Sequence, residues 1–170
     1  NVYPKSKANF KLLLLYILCI STTVLSQDKF SLSIGGSSED QANSIIQTRD
    51  GGYAIAGYTY NFGAVAHDIY IVKIDADGAI QWSRTVGGLD KEQAFNIIQT
   101  NDGGYAVAGF TKLLGINGDE DMYIVKLDSG GTFQWHKSIS GFDFGYRSYD
   151  YANSIIQTGD GGYILAGSTW

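Results

Sequence analysis

The chain has 170 residues, with 22 Gly, a single Pro and 12 Tyr among 14% aromatic residues. That composition suits many short strands joined by tight turns and argues against a helical protein. The net charge is −5; the first 26 residues hold three of the 12 basic residues and none of the 17 acidic ones, so residues 27–170 carry nine against seventeen, a net −8, which speaks against a nucleic-acid partner.

The N-terminal segment differs from the rest. Lys5, Lys7 and Lys11 precede the apolar run LLLLYILCISTTVL, Leu12 to Leu25. The run is too short to span a bilayer comfortably. A basic stretch, a short apolar stretch and small or β-branched residues before Gln27 predict a secretory signal, residues 1–26, cleaved after Ser26, leaving no membrane span in the mature chain. A lipoprotein reading would acylate Cys19, but the preceding Leu18 is not the small residue that site requires. Beyond the signal there is no Cys, which excludes a disulfide-stapled scaffold, thiol catalysis and Cys-based metal sites.

Residues 27–170 repeat themselves. NSIIQTRDGGYAIAGYTY at 43–60 returns as FNIIQTNDGGYAVAGFTK at 95–112 and NSIIQTGDGGYILAGSTW at 153–170. Aligned on Gly51-Gly52-Tyr53, Gly103-Gly104-Tyr105 and Gly161-Gly162-Tyr163, the steps are 52 and 58 residues. Trp82 and Trp135 are 53 residues apart, with Phe30 in the corresponding first place, and DIYIVKIDADG at 68–78 and DMYIVKLDSGG at 121–131 are also 53 apart. The units are about 30–81, 82–134 and an incomplete 135–170.

Each unit reads as four strands: 30–36, 43–48, 52–59 and 68–74 in the first; 82–88, 95–100, 104–111 and 121–127 in the second; 135–141, 153–158 and 162–169 in the third. The DGG, DADG and DSGG links are hairpin turns in which Gly accepts a positive φ. In YIVKI, Tyr70, Val72 and Ile74 share one face and Ile71 takes the other; in YAIAG, Tyr53, Ile55 and Gly57 oppose Ala54 and Ala56. A half-exposed sheet would alternate apolar with polar. Strands apolar on both faces require a sheet on each side, so the expected fold is all-β: a partial β-propeller of four-stranded antiparallel blades with a repeat of about 52 residues. A parallel β-helix is the competing architecture, but its coils are usually shorter.

Charges recur with the unit. Asp50, Asp102 and Asp160 precede the Gly pairs; Asp40, Glu92 and Asp150 stand before the IIQT strands; Asp68 and Asp121 open the YIVK strands, which contain Lys73 and Lys126 and lead to Asp75 and Asp128. Recurrence in every unit favours turn capping and a carboxylate partner for a buried Lys over one cation site per blade. Asp75-Ala76-Asp77-Gly78 opens like a calcium loop but lacks the later ligands, and Asp77 has no counterpart in Asp128-Ser129-Gly130-Gly131. No metal site and no cofactor are expected. His67 and His136 lie at unrelated unit positions and read as surface or loop residues.

What varies between units is more informative. The link GFDFGYRSYDY at 141–151 is expanded and crowds aromatics around Arg147; the links 60–67 and 112–120 are long as well. In an up-and-down sheet these links emerge at one edge and the short turns at the other. The expected site is therefore an aromatic loop face, with Phe142, Phe144, Tyr146, Arg147 and Tyr149 as candidate ligand contacts for a protein or a glycan, the alternative being that these rings pack down. A glycosidase-like enzyme is the competing class, but no acid pair stands out in the sequence.

The unit IIQT-x-DGGY-x-IAGYT, D-x-YIVK-x-D-x-x-G, W-x-x-x-x-GG resembles a group of secreted bacterial and archaeal repeat proteins, over nearly all of 30–170. The resemblance implies a β-propeller, export to the cell surface or medium, and in many members a type IX sorting domain; it implies no reaction. YIVKLDSGGTFQW at 123–135 is also similar to a hairpin of bulb-type mannose-binding lectins, but their Gln-x-Asp-x-Asn-x-Val-x-Tyr ligand series does not occur. Two and two-thirds units are fewer than the four to eight blades of a propeller. The expectation is a piece of a longer chain, with further blades or self-association covering its open apolar faces.

Overall fold

The computed structural model describes residues 31–64, 66–112, 119–140 and 148–170. The signal-like segment lies outside them. Ten strands follow one another: β1 (Asp40–Gln47), β2 (Tyr53–Thr59), β3 (Asp68–Ile74), β4 (Ile80–Val86), β5 (Glu92–Gln99), β6 (Tyr105–Thr111), β7 (Asp121–Leu127), β8 (Phe133–Ile139), β9 (Asp150–Gln157) and β10 (Tyr163–Thr169). They form a four-stranded sheet β1-β2-β3-β4, a second β5-β6-β7-β8 and a two-stranded sheet of β9 and β10, every ladder antiparallel between chain neighbours. Among the described residues there is no helix.

Four strands per unit hold, but the sheet is out of phase with the unit boundaries set by the aromatic markers. The strand that follows Trp82 pairs with β3, and that of Trp135 with β7, so each closes the sheet before it. The cause is turn length. Asp75 and Asp128 close five-residue turns, donating their N–H to the carbonyls of Ala79 and Thr132 at 2.9 Å, and strands so joined must pair. The corresponding stretch 31–36 forms no strand, because no third strand lies beside it among the described residues; its Leu32 and Ile34 instead pack on the outer face of the first sheet.

The turns repeat one design. Thr48, Thr100 and Thr158 accept the N–H of Gly51, Gly103 and Gly161 at 2.9, 2.9 and 3.0 Å. Those glycines have φ near +85°, which a side chain would strain. Asp50, Asp102 and Asp160 cap the same turns, accepting the N–H of Gly52, Gly104 and Gly162 and the hydroxyl of Thr48, Thr100 and Thr158. The first strand of each sheet carries a β-bulge, at Ala42/Ser44, Ala94/Asn96 and Ala152/Ser154. At the bulge the strand presses on Gly57, Gly109 or Gly167, where any Cβ would collide with the carbonyl oxygen of Gln41, Gln93 or Tyr151.

The sheets stack face to face. Ala54, Ala56, Ile69 and Ile71 of the first pack on Ala94, Ile97, Tyr105, Val107, Tyr123, Val125 and Leu127 of the second. Ala106, Ala108 and Ile124 on the far face of the second pack on Ala152 and Ile155 of the third. The two faces of β3 separate as its alternation requires, Ile69 and Ile71 inward to the second sheet and Val72 and Ile74 outward.

Polar groups repeat across the seams too. Gln99 Oε1 accepts the N–H of Arg49 at 2.9 Å, and Gln157 Oε1 that of Asn101 at 2.8 Å. Ser44 Oγ accepts the N–H of Ile97 at 3.3 Å, and Asn96 Oδ1 that of Ile155 at 3.2 Å. The phrase (Ser or Asn)-Ile-Ile-Gln therefore ties each sheet to its neighbour: the first residue reaches forward and the Gln reaches back.

Candidate functional site at the loop-bearing edge

The up-and-down order brings the links 60–67 and 87–91 to one edge of the stack and the five-residue turns to the other. Of the five residues singled out in the sequence, Phe142, Phe144, Tyr146 and Arg147 lie outside the described residues. Tyr149 is at the loop-bearing edge and exposed. Its N–H and carbonyl are both paired with Trp170, at 3.3 and 3.2 Å, which extends the β9–β10 ladder and leaves the ring turned to solvent.

Other apolar side chains share this edge. Tyr60, Phe62 and Leu89 are exposed, Leu89 to 75%. Phe62 stands at φ +54°, an uncommon conformation for a residue with a side chain. Its neighbours hold it there. Asn61 Oδ1 accepts the N–H of Ser37 and Ser38 at 3.1 and 3.2 Å, Thr85 Oγ1 donates to the Phe62 carbonyl at 3.2 Å, and the Phe62 ring stacks on Tyr70 at 4.9 Å. Tyr60 stacks on His67 at 5.0 Å, and Tyr58 meets the same imidazole edge-on. His67 lies on a loop, as expected, but its ring nitrogens are not at the surface: both are buried, without a hydrogen-bond partner among the described residues. Burial, with the Lys91 charge, lowers its pKa and favours the neutral ring. His136 is exposed on β8.

Beneath the loops lies a layer of carboxyl groups that the sequence showed only as repeated acids. Asp40 and Glu92, at the starts of β1 and β5, bind back to the Gly pair before them, accepting from Gly36 N at 2.7 Å and Gly88 N at 2.9 Å. The same two carboxylates accept the hydroxyls of Thr59 and Thr111, at the ends of β2 and β6. Tyr58 donates to Glu39 and Tyr151 to Glu120, each at 2.5 Å, and burial raises both phenols to about 12, the nearby carboxylate adding to the shift.

Where two sheets meet, carboxyls meet. A Cβ on Gly87 would stand 2.6 Å from Asp68 Oδ1 and 2.5 Å from Glu92 Oε2, so the two groups lie side by side under that glycine. Both residues are buried, and Asp68 Oδ1 has no hydrogen-bond partner among the described residues. Burial and the Glu92 charge push the Asp68 carboxyl up to about 6. Asp121, at the next seam, is raised by burial and by Asp150 and Asp119. Burial sets these carboxyl groups apart from the exposed side chains of the loop-bearing edge.

At the opposite edge the acids are spoken for by turns and lysines. Lys73 and Lys126 are buried, and their ammonium groups reach Asp50 and Asp102 at 2.9 Å and the carbonyls of Ile74 and Leu127 at 2.9 Å. The Thr48 hydroxyl and Lys73 hold Asp50 down at about 2; Lys126 and Thr100 hold Asp102 well below the carboxylate range. Asp75 Oδ1 accepts the N–H of Asp77 and Ala79, as Asp128 Oδ1 accepts those of Gly130 and Thr132, so the DADG and DSGG turns use their first Asp alike. Among the described residues no three His, Cys, Asp or Glu side chains converge as a metal site.

No protein-family model matches the chain, and no curated protein matches it significantly.

Proposed function

We propose that the chain is part of a β-propeller and serves as a secreted, non-catalytic binding or scaffold module whose loop-bearing edge contacts a protein or glycan. The observation that carries the propeller reading is a gradient of side-chain size across each seam. In the first seam β2 supplies Ala54 and Ala56, β3 Ile69 and Ile71, and β4 Trp82, whose ring meets Tyr105 at 5.4 Å. In the second seam β6 supplies Ala106 and Ala108, β7 Met122 and Ile124, and β8 Trp135, whose ring meets Tyr163 at 5.6 Å. The first strands approach closely enough for Asn43 Nδ2 to donate to the Ala94 carbonyl at 2.7 Å. Small side chains on one side of each seam and bulky ones on the other are the pattern that blades wedged around an axis require, and this supports the reading.

The binding reading rests on Tyr60, Phe62, Leu89 and Tyr149, exposed apolar groups on one edge, with Phe62 and Tyr60 held by stacking. Export rests on the N-terminal pattern 1–26. The test is a glycan array and a panel of polysaccharides probed with the chain and with its Phe62→Ala/Leu89→Ala variant. Binding lost at unchanged melting temperature supports the reading. A fall in melting temperature with no binding by either protein makes these side chains packing elements and removes it.

A further inference from the structure

The two ends of the first seam are joined by different chemistry. At the edge of the short turns, Gln99 Oε1 accepts the N–H of Arg49 at 2.9 Å, and Arg49 Nη1 donates to the Asn101 carbonyl at 3.3 Å. In the middle, Asn43 Nδ2 donates to the Ala94 carbonyl at 2.7 Å and Ser44 Oγ accepts the N–H of Ile97 at 3.3 Å. None of these groups changes its charge between about pH 4 and pH 9. At the loop-bearing edge the Glu92 N–H crosses to the His67 carbonyl at 2.7 Å, and beside that bond lie the Asp68 and Glu92 carboxyls.

Three features make this end depend on its proton count. Gly87 leaves the room that both carboxyls occupy: a Cβ there would stand 2.4 Å from Asp68 Cγ and 2.5 Å from Glu92 Oε2. Glu92 is held in place, because Thr111 Oγ1 and Gly88 N donate to its two oxygens at 2.8 and 2.9 Å. Asp68, opposite Thr59 at the start of β3, is 5% exposed, and its Oδ1 meets no donor among the described residues. Ionising Asp68 therefore sets a buried oxygen that nothing offsets beside a second carboxyl, which favours whatever separates the two. The second seam has the same main-chain bond, Asp150 N–H to the Glu120 carbonyl at 2.6 Å, but Ser140 stands where the first seam has Gly87 and hydrogen-bonds to Asp121. The first seam has no such hydroxyl at that place.

We infer that the loop-bearing end of the first seam is a proton-operated clasp: with Asp68 protonated the starts of β3 and β5 stay docked, and with Asp68 ionised they part while the short-turn end of the same seam stays joined. The clasp lies between two four-stranded sheets and works whatever the loop edge binds. The groups around it leave Asp68 as the switch. Burial, with the Glu92 charge, pushes the Tyr123 phenol of β7 up to about 12, so it stays neutral. Asp40 of β1 is occupied by Thr59 and Gly36, Tyr58 of β2 by Glu39, and Arg84 of β4 is exposed. Lys91, Glu39 and Glu120 bear on His67, whose pKa burial lowers. The signs are opposite: the raised Asp68 contributes stability that is lost as pH rises through about 6, whereas the lowered His67 contributes stability that is lost as pH falls.

The probe is hydrogen exchange at two amides that cross this seam, Glu92 N–H at the loop-bearing end and Arg49 N–H at the other, each corrected for the intrinsic pH dependence of exchange. From about pH 5 to pH 8, protection of Glu92 N–H is expected to fall about tenfold, which is the extra opening expected if the Asp68 carboxyl returns from about 6 to its ordinary 3.8 when the end parts. Arg49 N–H is expected to keep its protection. Asp68→Asn has the same shape and does not ionise, so both amides are expected to stay protected at both pH values. An unchanged Glu92 N–H in the parent, an equal fall at Arg49 N–H, or the same fall in Asp68→Asn overturns the inference. So does recovery of protection at the higher pH on adding calcium chloride, since a cation and not a proton would then close the clasp. Should Asp68→Asn not fold, the two amides of the parent, with and without calcium, decide by themselves.

Discussion

The seam between the first and second sheets and the seam between the second and third are built from equivalent residues, yet among the described residues their outer parts differ in burial. In the first, Ile69 and Ile71 lie in one core cluster with residues of β5, β6 and β7, and both are fully buried. In the second, β9 and β10 cover Ala106, Ala108 and Ile124, while the outer ledge formed by Trp135 and Ile139 stays open. The free face of the third sheet, with Ile156 at 56% and Ile164 at 54% exposure, has counterparts that are covered in both other sheets. Burial here follows from having a neighbour, not from the residue. The same Ile is core in one unit and surface in another.

The largest test of that difference is Ile71→Ala. It empties a closed seam and is expected to cost about 3 kcal/mol in chemical denaturation, within the range for buried Ile truncation. Ala106→Ile sharpens the comparison from the other side. Ile164 is exposed among the described residues, but the same side chain at 106 meets the third sheet, and overpacking is expected to cost about 2 kcal/mol.

Next in size is the pH response of the first seam. The Asp68 carboxyl titrates near 6 in the folded protein against an ordinary 3.8, so its contribution to stability is complete below about pH 4 and is lost as pH rises through 6. Asp68→Asn removes that loss. The variant is expected to be more stable than the parent by about 2 kcal/mol at pH 7 and no different at pH 4, read from denaturation midpoints at the two pH values. Equal effects at both would show that titration of the buried Asp68 carboxyl does not control it.

Asp102→Asn and Asp160→Asn then compare a lysine-bearing turn with an empty one. The first leaves the buried Lys126 without its counter-charge and is expected to cost about 2 kcal/mol, below the value for a fully buried pair because Asp102 is half exposed. The second removes no ion pair and is expected to change the melting temperature least of the set. The smallest energetic effect inside a strand is Ile164→Ala, about 0.5 kcal/mol or less.

Much of this was legible in the residues. The alternation of Tyr70, Ile71, Val72 and Ile74 assigned both faces of β3 correctly, because a strand has only two faces and both were apolar. Asp50 and Lys73 were readable as turn cap and buried cation with a carboxylate. The phase of the sheets was not, since self-similarity fixes a period and leaves the boundary free. The five-residue DADG and DSGG turns carried that information, whereas Trp82 and Trp135 lie within the last strand of a sheet and mark no boundary. The seam roles of Gln99 and Asn96 were hidden because they join residues about fifty positions apart, Arg49 and Ser44 among them. The acid pair Asp68/Glu92 was hidden for the same reason: its members open different strands, and only stacking brings them together. Of the aromatic site read from 141–151, Tyr149 alone is among the described residues up to the start of β9; Tyr60, Phe62 and Leu89 sit on separate links that only the folded sheets bring to the same edge.

The most direct test of the account is amide exchange on the free chain, comparing β6 with β10. With strands on both edges, β6 is expected to protect its amides throughout 105–111. In 163–169, alternate amides are expected to exchange rapidly, those facing away from β9, while those facing it stay protected. Uniform protection of β10 at a level matching β6 would mean that its outer edge is already occupied, and the contrast between a closed and an open seam would be wrong.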